Sequence, residues 1–235
     1  MVLELLNIGK ITLLALADSV NPCAIAVLAM ILMAVLTQNP EKKHKVLLTG
    51  FAFVLSVFLS YLFYGLVIIQ FFKSFAVFIR QDAFYFRAGV ALFAMIIGSL
   101  NLKDFLFYKK GGFATEMPLF LRPKMKRTIN KVTSPVGAFI MGFVLTLFLL
   151  PCTVGPYIVA SGILAQLGTI GAIPWLVYYN LIFVLPLITI TLLIYFGFTR
   201  IEDVEIWKER NVRKLHLITG IILLVVGIGM LAGWI

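Results

Sequence analysis

Apolar residues run along this chain in long stretches, each closed by a cluster of charges or turn residues. A bilayer core needs about 20 residues of apolar helix to cross it. Six stretches qualify: roughly 10–37, 46–72, 84–102, 135–166, 171–198 and 214–235. The interruptions are Gln38 to Lys45, Lys73 to Asp82, Lys103 to Ser134, Gly168 to Thr169, and Thr199 to Arg213. None is long enough for an ordinary soluble domain. The longest carries Gly111-Gly112, Pro118 and Pro123, so it reads as mostly loop with room for a short interfacial helix. The pattern predicts an all-α membrane protein of six transmembrane helices.

Composition strengthens that reading. Of 235 residues 62% are hydrophobic and 13% charged, with a mean hydropathy of +1.06. A soluble domain of this length exposes too much surface to be built from so few charges. The first residues carry Glu4 before Lys10 and show neither a basic n-region nor a small-residue cleavage site. Met1 onwards is therefore expected in the mature chain.

Charge then orients the spans. An even number puts both termini on one side, and Lys and Arg favour the cytoplasmic loops. The terminal side holds Lys10, Lys73, Arg80 and Arg87, whereas the other sixteen Lys and Arg residues fall on the opposite side, in the loops between spans 1–2, 3–4 and 5–6 or, for Lys214, at the adjoining start of span 6. Those loops are expected in the cytoplasm and both termini outside. This asymmetry also accounts for the net charge of +10 without a nucleic-acid partner. The basic stretch Arg122–Arg127 suits an acidic protein or anionic lipid, or is ordinary positive-inside charge.

The chain has two cysteines, Cys23 and Cys152, both inside apolar stretches. Two are too few for a disulfide scaffold or a cysteine zinc site. Taken singly, each reads as a small buried hydrophobe. Their surroundings change the balance. Asn21-Pro22-Cys23 and Leu150-Pro151-Cys152 recur at a spacing of 129, and the same spacing carries Gly98 onto Gly227. Spans 1–3 and 4–6 thus read as two copies of a three-helix unit. Because three is odd, the second copy enters the membrane inverted. The expected organisation is a first repeat at 1–108, a basic cytoplasmic loop at 109–134 and a second repeat at 135–235.

Proline lacks a backbone N–H, and its ring collides with the carbonyl four residues back, so helices 1 and 4 are expected to break at Pro22 and Pro151. Gly155-Pro156 adds a second break signal in span 4. Broken helices at membrane depth are tolerated where they line a cavity or pack within protein. After a break, proline is a good first helical residue. Each cysteine then lies near the positive end of a half-helix, which favours thiolate, the species that performs disulfide exchange. Counted from the cytoplasmic ends, the two cysteines lie about 20 and 25 Å deep, the same level within the error of the boundaries. A redox pair is the reading that motif, break and depth share.

At these residues the chain resembles a known family. Asp18-Ser19-Val20-Asn21-Pro22-Cys23 and Leu149-Leu150-Pro151-Cys152-Thr153-Val154-Gly155-Pro156 are similar to the paired Pro-Cys motifs of the CcdA proteins and of the related membrane domain of DsbD. The resemblance covers essentially the whole chain in length, span count and cysteine placement. It implies a conduit in the cytoplasmic membrane of a prokaryote. Such a conduit takes two electrons from cytoplasmic thioredoxin and passes them to thioredoxin-like proteins outside, commonly for cytochrome c maturation. It implies Cys23 and Cys152 as the redox couple, with Asn21, Pro22, Pro151, Gly155 and Pro156 shaping it and no cofactor or metal. Ala24-Ile25-Ala26-Val27 departs from the pattern by lacking the proline that follows the second cysteine. The two halves are therefore expected to open differently.

Asp18 is the only acid well inside a predicted span and has two readings. It is a proton acceptor or conformational latch for Cys23, or an N-cap or interfacial residue at the outer end of span 1. Ser19 and Asn21 suit capping of the half-helix that begins at Pro22. Asn180, Gln166, Thr146 and Thr153 line a crevice or bond between helices, while Gly98, Gly220, Gly227, Gly229 and Gly233 have helix-packing spacings. His44 and His216 lack companion ligands. The rival functions are a small-solute transporter with incidental cysteines, which would tolerate Cys→Ser at both positions, and a membrane scaffold.

Overall fold

The computed structural model describes residues 2–19, 22–38, 43–79, 83–107, 129, 134–165 and 167–232. Among them the helices are α1 (Val2–Ser19), α2 (Pro22–Gln38), α3 (Lys43–Ile79), α4 (Ala83–Leu106), α5 (Pro135–Ala165), α6 (Gly168–Tyr195) and α7 (Ile201–Leu231), with no strand among the described residues. The loop expected at 109–134 lies outside the described residues apart from Ile129 and Ser134.

The helices are apolar outside, and several bury hydroxyls within an otherwise apolar core. Along α3, Phe51, Leu55, Leu59, Phe63, Val67 and Phe71 are exposed at every fourth position, while Thr49, Ser56, Ser60 and Tyr61 are buried. Only hydrocarbon solvates such an outer stripe comfortably, and in hydrocarbon a polar side chain must find its partner within the protein. α3, α4, α6 and α7 are each long and apolar enough to cross a membrane, and α1 with α2 forms a further, bent candidate. The 31 residues of α5 include two apolar pieces, Pro135–Leu147 and Gly155–Ala165.

Three expectations need correction. The first Pro-Cys does fall at a break, since α1 ends at Ser19, α2 begins at Pro22, and the two are bent by 46°. The second does not interrupt the helix: α5 runs unbroken through Pro151, Cys152, Gly155 and Pro156. A proline deletes one hydrogen bond and kinks a helix without having to end it. The leucines before Pro151 favour helix, whereas valine and asparagine before Pro22 do not. Second, helices extend into the polar interruptions. α3 continues to Ile79, and α7 begins at Ile201, thirteen residues before the expected start of span 6 at 214. Hydropathy marks the length a bilayer requires, whereas helix length follows backbone bonding. At the start of α7 the Arg200 backbone N–H donates to Asp203 Oδ2 at 3.1 Å, which satisfies a terminal donor. Third, His44 lies within α3 rather than in a loop.

Connections are tight where glycine permits. Gly168, at φ +76°, lets α5 turn directly into α6. Gly197, at φ +77°, closes α6 in a Schellman motif, with Phe198 N–H donating to the Leu193 carbonyl and Gly197 N–H to that of Ile194.

α3 packs on α5 and α6, α1 on α6 and α5, α2 on α3 and α7, and α4 on α7. The α4–α7 crossing is close and reciprocal. A Cβ on Gly98 would stand 3.1 Å from the Gly220 carbonyl oxygen and 3.1 Å from the Leu224 nitrogen. A Cβ on Gly227 would stand 3.0 Å from the Ala91 carbonyl oxygen and 3.3 Å from the Met95 nitrogen. Residues 220 and 224 follow 91 and 95 by 129, the spacing that relates Gly227 to Gly98. At this crossing each helix meets the other as its counterpart does.

Candidate functional site

The end of α1, the start of α2 and the middle of α5 carry the residues that the sequence singles out. Cys23 is the second residue of α2, 9% exposed, and disulfide-bonded. It therefore sits among the first N–H groups of a helix, where a developing thiolate is stabilised. No described cysteine is free. Asn21 and the side chains of Pro22, Pro151 and Cys152 lie outside the described residues. Cys152 is placed in the interior of α5, so it has no helix N-terminus of its own, and the dipole argument serves Cys23 alone.

Asp18 is 1% exposed in the last turn of α1, so its carboxylate is packed between helices. Tyr179 of α6 donates its hydroxyl to Asp18 Oδ2 at 3.0 Å. Ser19 is also buried. Its hydroxyl donates back to the Leu16 carbonyl at 2.9 Å, so it closes α1 rather than capping α2. Thr219 of α7 reaches the Ala17 carbonyl at 3.3 Å. Two neighbouring helices thus hold the last turn before the break.

A cluster of buried tyrosines leads from that turn to α5. The Tyr179 ring stands edge-on to Tyr157, with centroids 5.3 Å apart, and Tyr157 stands edge-on to Tyr61 at 5.4 Å. Tyr157 donates its hydroxyl to the Tyr61 backbone carbonyl. Gly65, one turn further along α3, leaves open the space this hydroxyl occupies, because a Cβ there would collide with it. The Tyr61 hydroxyl shares a 2.8 Å hydrogen bond with Thr153 Oγ1, on the residue that follows Cys152. Beside it, Tyr64 and Thr146 share one at 3.1 Å.

Gly155 and Pro156 are buried. A Cβ on Gly155 would approach Ile97 of α4 to 2.5 Å, so this glycine sets helix packing. Thr146 and Thr153 bond across helices, whereas Asn180 donates to Leu176 of its own helix at 2.9 Å. Gln166 and Gly233 lie outside the described residues. His216 is buried, with Nδ1 3.1 Å from Asn101 Oδ1.

The tyrosines escaped the sequence reading, which singled out none of them. Their depth was the available signal. Tyrosine prefers the membrane interface, where its hydroxyl is wet. One placed mid-span, such as Tyr61 or Tyr179, must find a partner inside.

An outer surface of exposed apolar side chains around buried hydroxyls, a buried carboxylate and a disulfide defines a multi-pass membrane protein. Residues 10–229 match the family model described as the cytochrome C biogenesis protein transmembrane region, and the chain belongs to that family. Neither a curated protein nor a solved structure matches it.

Proposed function

We propose that this protein is a thiol-disulfide oxidoreductase that moves electrons across a prokaryotic cytoplasmic membrane, with Cys23 and Cys152 as its redox couple. One observation carries the reading: Cys23 is disulfide-bonded at a helix break among apolar helices, in a chain with one other cysteine. Family membership supports the same chemistry.

On this reading a thiolate of cytoplasmic thioredoxin attacks one sulfur of the disulfide. The S–S bond breaks, a mixed disulfide forms and the other cysteine leaves as thiolate. The second thioredoxin thiol, once deprotonated, displaces the bound cysteine. Thioredoxin departs oxidised, and two electrons and two protons remain on Cys23 and Cys152 as a dithiol. The same steps in reverse reduce a thioredoxin-like protein outside, in service of cytochrome c maturation. No cofactor takes part, since the electrons move between sulfurs. α5 counts as a span in this scheme, giving six. The halves 1–108 and 135–235 are inverted copies, a reading that the reciprocal Gly98 and Gly227 contacts support. Both termini face outward, as the distribution of Lys and Arg suggests.

The test is a thiol-trapping redox titration of the purified chain in detergent, challenged with reduced thioredoxin. The expected result is one two-electron transition, lost in Cys23→Ser and in Cys152→Ser, with a thioredoxin mixed disulfide trapped in one of those variants. Free thiols under mild oxidant, or indifference to thioredoxin, would sink the reading in favour of solute transport.

A further inference from the structure

Hydroxyl by hydroxyl, the buried interior joins the two Pro-Cys turns. Thr153, next to Cys152, meets the Tyr61 hydroxyl; the Tyr61 carbonyl accepts from Tyr157; the Tyr157 ring abuts Tyr179; and Tyr179 donates to Asp18 at the end of α1. The chain of contacts draws on α1, α3, α5 and α6. Tyr61 and Tyr179 are fully buried, and Tyr157, Thr153 and Asp18 are at most 1% exposed. No bulk water competes for these bonds, so breaking one strands polar groups in an apolar interior. Apart from the Asp18 carboxylate, this run of contacts holds no charged group to recognise a polar substrate.

We infer that Tyr61 and Tyr179 are positioning residues: their hydroxyls tie the turn at Thr153 to the last turn of α1, and so hold the two cysteine-bearing segments in the register that favours their disulfide. The inference rests on the redox reading above and adds to it the groups that set the stability of the couple. Loosening a tie lowers the effective concentration of one thiol near the other, because effective concentration depends on how narrowly geometry is held. The disulfide then becomes easier to reduce.

The experiment equilibrates the full chain in detergent with glutathione buffers of stepped ratio and counts thiols after acid quenching. Tyr61→Phe and Thr153→Val remove the same hydrogen bond from its two ends. Each is expected to lower the equilibrium constant for disulfide formation by about tenfold, moving the midpoint about 30 mV towards the oxidising side. Their double variant is expected to go no further than either single, as two changes to one bond should. Thr153→Ser retains a hydroxyl and is expected to titrate as wild type. At the other end, Tyr179→Phe is expected to shift the midpoint likewise. Asp18→Asn still offers a carbonyl to Tyr179 and is expected to leave the midpoint in place. Unmoved midpoints in both Phe variants, additivity in the double variant, or a shift in Asp18→Asn as large as that of Tyr179→Phe would overturn the tie. Thermal unfolding in detergent checks the fold, and Thr153→Val carries the test should Tyr61→Phe not fold. A wild-type chain with no two-electron transition defeats the redox reading itself. A normal wild-type transition with unmoved variants defeats only this inference.

Discussion

Two segments of this molecule share Pro-Cys and have different backbones. At the first, α1 stops at Ser19 and α2 restarts at Pro22 with a bend of 46°. At the second, α5 carries Pro151 and Cys152 in its interior and runs on to Ala165. Proline therefore does not by itself decide whether a membrane helix breaks. It removes one donor, and the residues around it decide whether the chain gives up the helix or absorbs the loss. The first segment has Val20-Asn21 ahead of the proline, the second Leu149-Leu150. The consequence is chemical: Cys23 starts a helix and meets free N–H groups, whereas the position of Cys152 is helical on both sides.

That difference should be local to the two turns. The α4–α7 crossing supplies the control, because Gly98 and Gly227 make counterpart contacts there. Gly98→Val and Gly227→Val each place a branched side chain against partner backbone and should destabilise the fold by about 3 kcal/mol. The two costs should agree to within about 0.5 kcal/mol, read as unfolding midpoints in detergent. A large inequality would extend the asymmetry of the Pro-Cys segments to the whole molecule.

The next effect acts on the comparison directly. Pro22→Ala restores the missing backbone donor at the break and lets α1 propagate towards α2. Reduction of the disulfide by thioredoxin should slow about tenfold, equivalent to about 1.4 kcal/mol. Pro151→Ala changes a helix that is already continuous, so its rate should stay within about threefold of wild type. Stopped-flow thioredoxin oxidation measures both, and equal slowing in the two variants would mean that the break at Pro22 has no special part.

Much of this was legible in the sequence, because the bilayer enforces it. Long apolar runs have to be helices, the Gly98 and Gly227 spacing has to serve packing, and both hold. Pro22 announced its break correctly. Pro151 announced one that α5 does not make, since breaker residues signal only the cost of helix and the neighbours settle the outcome. The helical start of α7 was hidden by Glu202 and Asp203, which hydropathy treats as loop although they favour a first helical turn. The tyrosine cluster was hidden for another reason. Tyr61, Tyr157 and Tyr179 come from three helices, and no spacing within one helix shows that their hydroxyls converge. Asp18 was visible as an anomaly. Its partner, Tyr179, was not.

The smallest expected effect asks whether the residue ahead of the proline carries the difference between the two turns. Leucine favours helix over asparagine by about 0.5 kcal/mol. Asn21→Leu gives the first motif the Leu-Pro-Cys of the second, and Leu150→Asn gives the second the Asn-Pro-Cys of the first. If local propensity tips the balance, Asn21→Leu should slow thioredoxin-driven reduction about twofold, as a change of that size implies. Leu150→Asn should loosen α5 around Cys152, seen as faster amide hydrogen exchange across 149–155. Exchange there reports opening of the helix itself, whatever the state of the disulfide. Should neither variant respond, the break at Pro22 is held from outside the motif. The groups that grip the end of α1, Tyr179 on Asp18 and Thr219 on the Ala17 carbonyl, would then be its cause.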